Sequence, residues 1–131
     1  MAVAVLSNRT IRLLVPDTTE LEIVPAPVAG VWRLVTRLRF DNHDTASSTP
    51  TFYLREEDHE KFTTWTPEQW RIWPARTVVA GGKLEDCCGQ VAILDSTLGL
   101  TVQLAADPSS TSNELLWPSV TVNYLDQVFG S

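Results

Sequence analysis

The chain has 131 residues, the size of one domain, and 44% of them are hydrophobic, enough for a core that needs neither metal nor disulfide. Sixteen acidic against ten basic side chains give a formal charge of −6, which argues against a nucleic-acid partner held by a general basic field. No stretch reaches the roughly 20 apolar residues of a bilayer-spanning helix, and the apolar start 1–7 lacks the basic leader of a signal peptide. The expectation is a protein made in the cytoplasm, with no membrane partner.

Residues 9–15 alternate, with Ile11, Leu13 and Val15 in one row, and Leu21–Val24 resumes the pattern after Pro16-Asp-Thr-Thr. This spacing predicts an N-terminal hairpin or arm over 1–24. Pro25-Ala-Pro-Val-Ala-Gly30 breaks it, because proline gives no amide to a ladder. The run 31–41 alternates most clearly. Trp32, Leu34, Leu38 and Phe40 fall on one side, and Arg33, Val35, Arg37 and Arg39 on the other. A polar loop leads to a short strand at 51–56, and the two strands together predict a central hairpin.

Residues 57–74 depart from the period of two. Thr66, Pro67 and Gln69 have the spacing of a helix N-terminus, which predicts a short helical insertion carrying Trp65, Trp70 and Trp73. Further strands are expected at 76–79, closed by a turn at Gly81-Gly82, and at 91–94, 98–104 and 120–124, with an exposed tail from Asp126. About eight short strands with frequent turns make the fold class all-β: one antiparallel β-sandwich, jelly-roll or immunoglobulin-like, with its core over 31–125.

Candidate sites are few. Trp65, Trp70 and Trp73 either pack the insertion onto the sandwich or form a partner interface, for protein or for sugar rings. Arg33, Arg37 and Arg39 form a basic row that either docks a neighbouring subunit or makes cross-strand ion pairs. His43 between Asp41 and Asp44, and His59 among Glu56, Glu57, Asp58 and Glu60, read as solvated acidic loops, since neither has the ligand spacing of a calcium or zinc site. Cys87 and Cys88 are adjacent and read as two reduced thiols on opposite strand faces; a strained vicinal disulfide is the other reading. Nucleophile-elbow, phosphate-loop and dinucleotide-binding motifs are absent. Glu68 and Asp95 are acids of the kind any acidic chain offers. The expectation is no catalytic residue, no cofactor and no metal.

The pieces Arg39-Phe-Asp-Asn-His, Phe52-Tyr-Leu, Val78-Val-Ala-Gly-Gly82, Ala92-Ile-Leu-Asp, Leu100-Thr-Val-Gln-Leu-Ala-Ala and Val120-Thr-Val-Asn-Tyr-Leu occur in an order that resembles small structural proteins of tailed-phage and prophage particles. The resemblance covers about residues 31–125. It implies a virion component: a capsid cement or decoration protein, or a head–tail or tail joining protein. It implies partners among the major capsid or neck and tail proteins, and a homo-oligomer, and it carries over no catalytic residue. The competing reading is a carbohydrate- or receptor-binding module built on Trp65, Trp70 and Trp73.

Overall fold

A computed structural model describes residues 2–56, 76–86, 91–95 and 98–130. The fold is all-β, with two antiparallel sheets. Among the described residues eight strands follow in chain order: β1 (Ala2–Leu14), β2 (Leu21–Val24), β3 (Val31–Asp41), β4 (Pro50–Glu56), β5 (Lys83–Asp86), β6 (Ala92–Leu94), β7 (Leu98–Leu104) and β8 (Ser119–Gly130). A 3-10 turn, Glu114–Leu116, precedes β8, capped by the Asn113 side chain accepting from the Leu115 amide. The larger sheet runs β1-β8-β3-β5, with β6 also on β3, and the smaller sheet runs β2-β7-β4.

The core is the row of alternating apolar side chains that the two sheets turn towards each other. Val35, Leu38, Phe40, Leu94, Val120 and Val122 come from the larger sheet; Val24, Phe52, Leu100 and Val102 come from the smaller one, and all are essentially inaccessible to solvent. Phe40 and Phe52 join the sheets directly as an edge-to-face pair, with centroids 6.5 Å apart and planes at 80°.

Several expectations are corrected. Residues 9–15 and 21–24 form no hairpin: β1 pairs β8 along its whole length, and β2 pairs β7 in the other sheet. Pro16 ends the strand, and an Asx turn, with the Thr19 amide donating to Asp17 Oδ1 at 2.8 Å, carries the chain from one sheet to the other. Val15, Ile23 and Val24 are core residues, so this segment is part of the sandwich.

The central hairpin is likewise absent: β3 lies in the larger sheet and β4 in the smaller, and the loop between them is a crossing. Buried Asn42 fixes that loop. Its Nδ2 donates to the carbonyls of Ala46, Val78 and Val79, and its Oδ1 accepts from the Asp44 amide. Residues 76–79 make only an isolated bridge, Val78 to Ser48, and the strand that follows the turn is Lys83–Asp86. The turn itself is as expected, with Gly81 at φ +71° and the Gly82 amide donating to the Val79 carbonyl. The last strand continues to Gly130, and Asp126, expected to begin an exposed tail, is buried.

The faces of β3 also differ from the simple alternation. The ladder with β8 shifts between Val35 and Arg37, so Thr36 is an extra, bulged residue. One inserted residue exchanges the faces. Val35 joins Leu38 and Phe40 in the core, and Trp32 is 45% exposed. The insertion with Trp65, Trp70 and Trp73, together with Cys87, Cys88 and His59, lies outside the described residues.

Candidate interaction surface on the larger sheet

The β3 bulge divides the predicted arginine row. Arg37 and Arg39 stand on the outward face of the larger sheet. Arg33, beyond the bulge, shares the parity of Val35 and pairs in register with Asp126. Its Nε donates to Asp126 Oδ1 at 3.0 Å, its Nη1 donates to the Pro25 carbonyl at 2.8 Å, and its guanidinium lies 5.1 Å from the Tyr124 ring centroid. This is a cation held by a carboxylate, a carbonyl and a ring face. It seals the end of the sandwich.

On the outward face, antiparallel pairing brings residues from four strands into one transverse row: Arg12 of β1, Thr121 of β8, Arg39 of β3 and Glu85 of β5. The next row towards the bulge is Thr10, Asn123 and Arg37. The row on the other side is Leu14, Ser119, Asp41 and Lys83. Arg12, Arg37, Arg39, Asp41, His43 and Thr121 line an open groove of about 380 Å³.

Ion pairs within the face are specific. Arg37 donates twice to Glu85 Oε2, at 2.8 and 2.6 Å. Arg39 forks onto both oxygens of Asp41, with bonds of 2.9–3.0 Å, and reaches Glu85 Oε2 at 4.0 Å. The Arg37 hydrogen bond holds the Glu85 carboxyl below its ordinary range against some desolvation, and the Asp41 hydrogen bond raises the Arg39 guanidinium further above its own. Arg12 donates only its Nε, to Thr121 Oγ1 at 3.3 Å, and has no carboxylate among the described residues. On this face Glu85 and Asp41 thus serve Arg37 and Arg39, and Arg12 stands apart from them. Arg33 and Arg37 make the cross-strand pairs weighed for the arginines, whereas Arg39 pairs mainly with Asp41 on its own strand and only reaches Glu85 across it. Arg12 is a residue that pattern reading missed, because nothing in sequence puts it in one row with Arg39, across Thr121.

The His43 loop holds its charges in hydrogen bonds. His43 Nε2 lies 2.9 Å from Ser119 Oγ. Burial pushes the Asp44 carboxyl up, but donors from Ser109, Thr45 and Ala46 outweigh it and hold the group below the ordinary carboxylate range. The Ser109 amide donates to one Asp44 oxygen at 2.8 Å and the Thr45 amide to the other at 2.7 Å. Asp44 thus ties the crossing loop to the loop before β8. Among the described residues no group of three histidine, cysteine or acidic side chains is placed to hold a metal ion.

No family model matches the chain, and no curated protein matches it. Among solved structures it is similar to a chain of Bacillus endospore appendages, described as a novel family of disulfide-linked pili, at 9% identity and TM-score 0.49, over 98% of this chain and 89% of that one. It is similar to a chain of the cyanophage Pam1 capsid asymmetric unit at 12% identity and TM-score 0.46, over 97% and 85%. It is also similar to a chain of infectious bursal disease virus, Gx strain, at 9% identity and TM-score 0.41, over 97% of this chain and 33% of that one.

Proposed function

We propose that this protein is a non-enzymatic structural component of a tailed-phage virion, a capsid cement protein or a head–tail or tail joining protein, working through symmetric protein–protein contacts. The observation that carries the interaction half of this reading is strand β1. It runs 13 residues at the edge of the larger sheet and pairs only β8 among the described residues. An edge of that length is a template for another chain. Beside it stands a groove in which the Arg12 guanidinium has no carboxylate partner among the described residues. The virion setting comes from the order of motifs over residues 31–125; the distant structural likenesses carry no weight in it. The partners are other virion proteins, the major capsid or neck and tail proteins, and further copies of the chain.

Adding purified protein back to particles that lack it tests the reading. Saturable binding at a fixed ratio to the capsid or neck protein supports it. Particles that assemble, hold their genome and infect unchanged, with no protein bound, contradict it.

A further inference from the structure

The two edges of the larger sheet complement one another. One edge is β1. Residues 2–14 contain Arg9 and Arg12 and no acidic residue. The opposite edge includes β5, Lys83–Asp86, which carries Glu85 and Asp86. The directions also fit. β1 is antiparallel to β8, β8 to β3, and β3 to β5. A second copy in the same orientation therefore brings its β1 antiparallel to β5 of the first and continues the alternation of the sheet.

The rows set the register. Arg12 and Glu85 end one row, so an unstaggered continuation puts Arg12 of the second copy opposite Glu85 on the outward face. Directly opposed residues of an antiparallel pair have Cβ atoms about 4.5–5.5 Å apart, within reach of an Arg–Glu pair. The next row ends in Leu13 and Leu84, both half-buried on the core face, so the same register sets apolar against apolar. A shift by one residue would turn each charge towards the other copy's core face.

The free atoms match as well. The bonds Glu85 accepts all fall on Oε2, leaving Oε1 with no partner among the described residues. Arg12 has two terminal nitrogens without a partner among the described residues. We propose that copies of this chain join head to tail by strand addition of β1 onto β5, with Arg12 of one copy donating to Glu85 of the next. Such a contact is heterologous. It closes into a ring if the rotation per copy divides a full turn, and otherwise gives a filament. The proposal deepens the reading above by naming one of its contacts, and rests on that reading only for the setting of the assembly.

The test is sedimentation velocity of the full chain over a concentration series, at low and high salt. Wild type is expected to associate, more weakly at high salt. Arg12→Glu, at an exposed position, is expected to weaken association about tenfold or more. Glu85→Arg is expected to do the same, and near-ultraviolet circular dichroism checks that it folds. Mixing the two variants sets opposite charges at both kinds of contact between them, so association in alternating order is expected to return, and a mixture that stays monomeric overturns the proposal. A wild type monomeric at every concentration overturns the proposal, as does an oligomer indifferent to Arg12→Glu. Either result leaves the virion reading standing, since particle binding tests that separately.

Discussion

Arg33 and Asp126 form the ion pair that closes one end of the sandwich, with Nε 3.0 Å from Oδ1 and both side chains less than a fifth exposed. The pair links β3 to β8 on the face that carries Val35 and Tyr124. Removing the carboxylate leaves a guanidinium over a ring with one partner fewer. Asp126→Ala is expected to cost about 1–3 kcal/mol, the range for a charged hydrogen bond in a partly buried place. Urea denaturation measures it; a midpoint equal to that of wild type would show the pair to be ornamental.

The crossing loop depends on Asn42, whose amide satisfies three carbonyls and one backbone amide in the interior. Asn42→Ala leaves these groups without partners, and a loss of about 2–4 kcal/mol is expected from several unsatisfied buried polar groups. Asn42→Asp, which cannot donate, is expected to be no better. Thermal unfolding of both variants checks this; stability within about 0.5 kcal/mol of wild type, the level of an ordinary surface change, would contradict it.

Asp44 makes stability depend on acidity in a stated direction. Its folded pKa is lowered, so its contribution is complete above the unfolded value, near 4, and is lost as pH falls through the folded one. Asp44→Asn is expected to be less stable than wild type at pH 7 and to lose less on acidification. Urea midpoints for both proteins between pH 7 and pH 3 test this. Parallel curves would mean that Asp44 has the same affinity for protons in both states.

Truncation separates an arm from a built-in strand. Ile11 and Leu13 pack against the core, and Val15, Ile23 and Val24 belong to it. Deleting residues 1–24 removes all five and bares the edge of β8. The expected product is unfolded or aggregated, with no cooperative transition by circular dichroism. A soluble product with a cooperative transition would restore the arm.

Within the core, Phe40→Ala removes one ring of the pair that joins the two sheets. A cost of about 3–5 kcal/mol is expected from the cavity it leaves, read from the denaturant midpoint.

The strands at 98–104 and 120–124 and the all-β class were legible in the sequence because one buried face writes itself as a period of two. Pairing was not. Leu21–Val24 carries nothing that tells β7 from β1 as its neighbour, since both present alternating apolar rows. The bulge at Thr36 was invisible for a related reason. An extra residue changes which side chains are inward without changing their order, so Arg33 read as a companion of Arg37 and Arg39 although it faces the other way. Lys83–Asp86 was missed because a short, half-exposed edge strand buries too little to need an apolar pattern. The candidate surface suffered most, because Arg12, Thr121, Arg39 and Glu85 form a row only after four strands have been placed in register.

A virion component is a stoichiometric part of its particle. Quantitative mass spectrometry of density-gradient-purified particles from the cells that carry its gene is the measurement for the proposed virion role. A fixed copy number per particle is expected, in a constant ratio to the capsid or tail protein across the gradient. Its absence from the particle peak, with the protein recovered only in the soluble fraction, would overturn the virion role.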